Sequence, residues 1–354
     1  MFRNIQLLRA WGACLVLLHH FGPNYEAMTG SIPLLRWLMA YGYAGVDIFF
    51  CISGFIMMHV ISDRSASPFH LRQFLQHRFL RIYGWYLPCL AVALLISWLA
   101  EPARIEQASL LKSATLTSVL MVDLVLPVSW SLSYELYFYL LVALAWMTFE
   151  RHLRAVLWVS MLAMAIYLWK VPYVPDGSLR SFVTCPYVLE FGAGALLYLH
   201  KGVLARKAAL PVYAAAFVYL CWMGVRLNAA NGFVRIETFG AAAFFLLCFF
   251  VTLEEVGSYR AGRLAEALGD ASYSIYLLHL PLLSSFYGSG LRQFLEQLEP
   301  LWTELGFALF IAAFLVGCIL LHRFAERPLY LFLCRLAERI VARRAAPPGP
   351  LGNA

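Results

Sequence analysis

The stretch "LLRAWGACLVLLHHF", residues 7–21, is apolar over most of its length, with a guanidinium near its start and two imidazoles at its end. A run of this kind predicts a helix that lies in a membrane, where every backbone polar group must be satisfied within the segment. Ionisable side chains in such a helix cost a few kcal/mol or more unless they face a cavity or one another. Arg9 and His20 are eleven residues apart. At roughly 100° per residue they return to within about 20° of each other, about 16 Å apart along the axis. His19 points about 100° away. Arg9 and His20 therefore share one face, as two groups lining one cavity would.

Composition extends this reading to the whole chain. Of 354 residues, 62% are hydrophobic and only 13% charged, and the mean hydropathy is +0.72. A soluble protein of this composition would have an apolar surface, so the chain reads as an all-α, polytopic membrane protein. The net charge of +7 is then a matter of topology, and no nucleic-acid partner is expected. No small-x-small cleavage site follows "LLHHFGPNY", so the first run is read as a true span rather than a signal peptide. The eight cysteines lie in or beside apolar segments, without C-x-x-C or ligand-spaced His/Cys clusters. They read as small core residues, and no metal is expected. Residues 345–354 form a short disordered tail by composition, leaving 1–344 as one transmembrane domain.

Ten spans are predicted, at about 5–22, 41–61, 82–99, 128–149, 155–171, 183–199, 209–226, 237–254, 267–287 and 302–321. The segment 111–127 is apolar but carries Lys112 and Asp123. With ten spans and a cytoplasmic N-terminus, 19 of the 27 Lys and Arg lie inside, counting Arg9 at the inner end of the first helix. Making 111–127 an eleventh span leaves only 11 inside. The excess of cations in cytoplasmic loops therefore favours ten, with both termini cytoplasmic and 111–127 an external interfacial or re-entrant element. The inner membrane is the implied location.

Four further places carry polar groups. In "GYAGVDIFFCISGF", residues 42–55, Asp47, Cys51 and Gly54 fall on one helical stripe among glycines that permit close packing. In "WSLSYELYFY", residues 130–139, Ser131 and Glu135 are i,i+4 neighbours, with the carboxylate about two turns inside the apolar zone. In "DASYSIYLLHLPLL", residues 270–283, Ser272, Tyr276 and His279 form a polar stripe at i, i+4, i+7. Finally, "FLQHRFLRIYGWY", residues 74–86, places His77, Arg78 and Arg81 where the third span begins. Packing, a satisfied core histidine and a basic lipid anchor explain any one of these. Together they place Arg9, Arg78 and Arg81 toward the inner surface and His20, Glu135 and His279 in the outer half. A phosphorylated handle held inside, with a thin reactive arm reaching about 15 Å into the membrane, describes an acyl-coenzyme A.

These stretches resemble the membrane-bound acyltransferase-3 family over most of the chain. The family's Leu-Arg-Ala followed by a histidine eleven residues after the arginine is "LRAWGACLVLLHH", and its other blocks are "GVDIFFCISGF", "WSLSYE", "YSIYLLHLP" and the late "ERP" at Glu326–Pro328. The opening "IQLLRAWGA" is most similar to the exopolysaccharide acetyltransferases. The resemblance implies transfer of an acyl group, most often acetyl, from cytoplasmic acyl-CoA to a hydroxyl of a glycan or glycolipid. Arg9, Arg78 and Arg81 would hold the donor, and Asp47, Ser131, Tyr276 and His279 would meet the substrates. The basic stretch departs from the family's Arg-Arg-x-x-Arg-Ile-x-Pro: His77 stands for the first arginine and Gly84 for the proline. Fewer permanent charges and a more flexible start to the third span are expected from this.

In that chemistry His20, facing or bonded to Glu135, takes the acceptor hydroxyl's proton and later returns it to the thiolate. Direct transfer and a transient acyl-histidine both remain open. A second reading, a proton-coupled transporter of a small anionic or sugar-like substrate, uses the same in-membrane Arg, His and Glu. Internal repeats with broken helices would favour it.

Overall fold

The computed structural model describes residues 2–29, 33–100 and 102–345, and all regular structure among them is helical. The long helices are α1 (Arg3–Thr29), α2 (Pro33–Tyr41), α3 (Gly45–Ile61), α4 (Pro68–Ala100), α5 (Trp130–Phe149), α6 (Leu153–Lys170) and α7 (Tyr187–Leu204). They continue as α8 (Leu210–Arg226), α9 (Ala241–Glu255), α10 (Arg263–Asp270), α11 (Ser272–Gly288), α12 (Pro300–Leu321) and α13 (Arg327–Ala345).

Seven stretches are long and apolar enough to cross a membrane: Arg36–Ile61, Pro68–Leu99, Pro127–Lys170, Leu179–Leu204, Lys207–Arg226, Gly232–Glu255 and Leu301–Ile340. The third holds both α5 and α6, joined by a single 3-10 turn at Glu150–His152. Each of the ten segments expected from the sequence is predominantly helical. Those in α1 and α11 fall outside the seven stretches. The first carries ionisable groups at both ends, and the second, at 17 residues, is at the lower limit for a span. Segment 111–127 forms no long helix. A short helix, Leu110–Thr115, stops where Leu116 adopts a left-handed φ of 54°, and 3-10 turns follow at Met121–Asp123 and Pro127–Ser129. Lys112 and Ser118 donate to Asp123 at 2.8 and 2.7 Å and hold its carboxyl below the usual aspartate value. Residues 346–354, nearly all of the expected tail, lie outside the described residues.

Two glycine contacts fix the helices that carry the polar groups. A Cβ on Gly45 would lie 2.3 Å from the Gly12 carbonyl oxygen, and one on Gly42 2.2 Å from that of Leu15. The helices α1 and α3 thus meet backbone to backbone along a seam that only glycine permits. On another face of α3, a Cβ on Gly54 would lie 1.8 Å from the Phe191 oxygen, and one on Gly194 1.8 Å from that of Cys51. The start of α1 is tied down by Asn4, fully buried. Its Nδ2 donates to the carbonyls of Phe250 and Tyr259, and its Oδ1 accepts from the Ala261 N–H.

The basic residues and the third span lie on one helix, α4, of 33 residues with Pro68 as its first residue. The expectation of a flexible start at Gly84 changes here, because the glycine lies inside that continuous helix. A Cβ there would meet Leu333 of α13 at 3.1 Å, so the glycine admits the C-terminal helix. That helix is reached through a π-helical turn, His322–Glu326.

Gly54→Ala should therefore lower the thermal midpoint of the purified protein, because overpacking costs about 1–3 kcal/mol even where neighbours can move. Gly202→Ala, where a Cβ meets nothing within 4 Å, should leave the midpoint unchanged or raised. Equal midpoints for the two variants would show that α3 and α7 do not meet as described.

Candidate functional site

A cavity of about 550 Å³ opens between α1, α3, α4, α5, α11 and the start of α13. Four guanidiniums line it, those of Arg9, Arg78, Arg81 and Arg327, with carboxylates at Glu135 and Asp270. Two of the arginines are held. Arg9 donates to Gln6 Oε1 at 3.0 Å, and Gln6 Nε2 donates to Asp270 Oδ1 at 2.6 Å. Arg81 Nη1 donates to Glu326 Oε1 at 3.0 Å, while Ser274 Oγ donates to Glu326 Oε2 at 2.8 Å. His322 Nδ1 lies 3.1 Å from Glu326 Oε2. Glu326 is only 1% exposed, so burial without this ring of partners would be costly.

Arg78 differs. Among the described residues it has no acidic partner, and its Nε is buried without a hydrogen bond. Its Cζ lies 5.9 Å from the centroid of the Phe74 ring. A buried donor left open in a cavity rich in guanidiniums is the feature expected where an anion binds.

Glu135 stands among these cations. Its Oε1 accepts from Ser53 Oγ at 3.1 Å and, by a short bond, from the Tyr139 hydroxyl. Ser131 and Tyr276 line another wall, with hydroxyl oxygens 2.8 Å apart. Both reach the Val128 carbonyl, Tyr276 at 2.9 Å and Ser131 at 3.2 Å, so one hydroxyl donates to that carbonyl and the other to its neighbour.

The two histidines expected in the outer half, His20 and His279, form a pair. His20 Nδ1 lies 2.9 Å from the Val16 carbonyl and 3.2 Å from His279 Nε2. A carbonyl only accepts, so His20 Nδ1 carries the hydrogen and Nε2 is left with the lone pair. His279 Nδ1 faces the Ile275 carbonyl at 3.3 Å, which leaves its Nε2 bare and able to share the His20 N–H. His279 is fully buried, and its ring centroid is 4.9 Å from that of His20 and 6.0 Å from that of Tyr276. His19, off this face, is held 2.7 Å from the Met39 carbonyl.

The structure thus brings Arg9, Arg78, Arg81, Ser131, Glu135 and Tyr276 to one cavity and sets His20 and His279 against each other. It does not pair His20 with Glu135. The Nδ1 edge of His20 is taken by Val16 and His279, and Glu135 is engaged by Ser53 and Tyr139. Asp47 does not line the cavity either. Its two oxygens receive Arg235 Nε and Nη2 at 2.8 to 3.2 Å, and both residues are buried. The stripe of Asp47, Cys51 and Gly54 faces α7 and the π-helical turn Ile236–Gly240, while Val46, Phe50 and Ser53 face the cavity.

Several residues escaped the sequence reading. Arg235 and the buried Glu190 beside Asp47 sit on elements that only the folded chain brings together. Gln6 and Ser53 are ordinary polar residues in apolar helices. Glu326 was visible in the "ERP" block but nothing local assigned it a partner.

Removing one partner of a buried ion pair costs about 3–5 kcal/mol. Asp47→Ala should accordingly lower the unfolding midpoint of the purified protein far more than Ser53→Ala does. If Asp47 touched substrate instead, the midpoint would hold and the loss would appear in KM.

A family model described as an acyltransferase domain matches residues 2–323. The exopolysaccharide production protein ExoZ of Rhizobium meliloti (strain 1021) is 31% identical over 296 residues, covering 81% of this chain and 89% of that protein. A putative membrane-bound transacylase, BcsY of Komagataeibacter xylinus, is 27% identical over 300 residues, covering 79% of this chain and 72% of that protein. No solved structure matches.

Proposed function

The chain belongs to the acyltransferase family whose domain spans residues 2–323, and from that premise we propose a membrane O-acyltransferase acting on an exopolysaccharide or its lipid-linked precursor. The donor is acyl-CoA, most simply acetyl-CoA, taken from the cytoplasm. The similarity to an exopolysaccharide production protein and to a membrane-bound transacylase supports the acceptor class. The observation that carries the donor is the cavity with four guanidiniums, one of which, Arg78, lacks an acidic partner among the described residues. Phosphate groups supply what that arrangement lacks.

In this reading the cavity's basic end faces the cytoplasm of the inner membrane, both termini included, and the His20–His279 pair lies toward the outside. The donor's phosphates rest on Arg78, with Arg9 and Arg81 beside it, and the thioester arm runs along the cavity toward Ser131 and Tyr276. The acceptor hydroxyl arrives from the outer side and meets His20 Nε2. Its oxygen attacks the thioester carbonyl carbon, and the C–S bond breaks. The hydroxyl proton passes to Nε2 and then to the departing thiolate, so no net charge or oxidant is required. His279 acts through His20 by holding the Nδ1 edge and so keeping Nε2 available. Glu135 remains in the proposal as a carboxylate of the cavity wall, placed to balance Arg9 and Arg81 rather than to orient His20. The transporter reading needs a substrate path but no bond-breaking group, and family membership weighs against it.

Purified protein in detergent or nanodiscs should release coenzyme A thiol from acetyl-CoA when acceptor is present, and His20→Ala should abolish that release with folding intact. His19→Ala, whose ring is bonded to a backbone carbonyl away from this face, should keep substantial activity. Equal loss in both variants would remove His20 from its assigned role. No thiol release under any condition would defeat the enzyme reading.

Arg78 and Arg81 should separate in kinetics and stability. Arg78→Ala removes a contact expected to be alike in ground and transition states, so the KM for acyl-CoA should rise more than kcat falls. Arg81→Ala strips the buried Glu326 of its cation, so it should also lower the unfolding midpoint. Calorimetric titration with coenzyme A checks the first effect. Unchanged affinity in Arg78→Ala would make this stretch a lipid anchor only.

A further inference from the structure

The cavity stops short of the histidine pair. On α1 it is lined by Ile5, Gln6 and Arg9, and among the described residues by no position of that helix beyond Arg9. Gly12, Ala13 and Val16 lie between Arg9 and His20, within about 60° of the face those two share, and all three are buried. At this end the cavity is lined by Val46, Phe49, Ser131 and Tyr276, while neither His20 nor His279 lines it.

Two rings close the way. The edge of the Phe49 ring lies 3.3 to 3.4 Å from where a Gly12 Cβ would stand, so the missing side chain makes room for it. Phe49 also packs against the buried cluster of Ala13, Ala271 and Ile275, and meets Tyr276 edge-on at 5.8 Å between centroids. The Tyr276 ring is in turn 6.0 Å from that of His279. Tyr276 is pinned by its hydroxyl between Ser131 and the Val128 carbonyl. Phe49 is only partly buried and is held by apolar contacts alone. We propose that Phe49 sets the length of acyl chain the cavity accepts, its ring being the end wall that the donor's acyl terminus meets. This rests on the acyltransferase reading and adds which donors the site takes. With the phosphates held at Arg78, the donor's arm has one reach, and the acyl group leads its own carbonyl toward the wall. Each added methylene must press on the ring or draw the phosphates off their cation. An apolar site discriminates one methylene by roughly 10- to 200-fold. The ring also stands between the carbonyl and His20, so it turns aside in each transfer, and a short acyl group leaves it free to do so.

Calorimetric titration of the full-length protein in nanodiscs with the S-ethyl and S-butyl thioethers of coenzyme A tests this. Thioethers keep the phosphates and the arm but have no acyl group to transfer. In the wild-type protein the affinity should fall at least tenfold from S-ethyl to S-butyl, as expected for two methylenes too many. Phe49→Ala should bring the two affinities within about twofold of each other, by the same reasoning, and Phe49→Leu should lie between. Ile56→Ala, two turns further along α3 and lining the same cavity, should keep the wild-type ratio. Equal affinities in the wild-type protein would overturn the proposal even if neither Phe49 variant folds. A full tenfold preference retained in either variant would overturn it too, as would loss of the preference in Ile56→Ala. Thioether binding needs no chemistry at His20. Selection by length without thiol release from acetyl-CoA would sink the acyltransferase reading alone, and thiol release with equal thioether affinities would sink the wall alone.

Discussion

The contact on which the arrangement depends is the glycine seam between α1 and α3. The two backbones are so close that a methyl group on Gly45 would enter the main chain of Gly12, and one on Gly12 would press on the Gly45 carbonyl oxygen at 3.0 Å. In a bilayer, where burial from water does not draw helices together, close packing of small residues is the main source of such adhesion. The seam has a geometric result as well. With the helices touching, the polar face of α1 is confined to one side, toward α4, α5 and α11, and the apolar face to the other. Arg9 and His20 can then sit in a helix in lipid without facing lipid.

Charge organises the polar side. Two arginines of the cavity are bound within the protein, one through Gln6 to Asp270 and one to Glu326. The second pairing needs the π-helical turn at His322–Glu326. The turn ends with Glu326 buried against α4, and α13 then lies across Gly84. Holding Arg81 in this way sets the guanidinium's position and satisfies a carboxylate that would otherwise be buried alone. Arg78, three residues earlier on the same helix, keeps its donors open. A cavity with one cation fixed and the next unpaired has a set shape and an unmet charge, and an anion is the complement of that combination.

The sequence carried much of this in local form. The spacing of Arg9 and His20, the i,i+4 pair Ser131 and Glu135, and the stripe in α11 are properties of single helices, so period and hydropathy expose them. Six of the nine chosen side chains line the one cavity. Which helix face meets which other helix is not a local property, and the errors lie there. Asp47 had the residue type and depth of a substrate contact, but its partner, Arg235, is 188 positions away and sits beside a π-helical turn that no period announces. The sequence matches Glu135 to His20 because both are expected in the outer half. Depth alone does not fix direction, and Ser53 on α3 faces Glu135 while His279 faces His20.

Asp47 also bears on His20, through an intermediate. Arg235 does more than neutralise Asp47: its Nη2 donates to the Tyr43 carbonyl at 3.1 Å, and its Cζ lies 4.8 Å from the Tyr43 ring centroid. Tyr43 in turn packs edge-on against His19, and His19 against His20. His19 is meanwhile fixed to the Met39 carbonyl just before the 3-10 turn Gly42–Ala44 that leads into α3. The buried ion pair therefore holds the turn, the turn holds Tyr43 and His19, and these close one side of His20 while His279 closes the other. A ring packed on two sides and bonded through Nδ1 has one edge left open, that of Nε2. The charge pair supports one wall beside His20 without lining the cavity, while the Val16 carbonyl and His279 hold the ring itself.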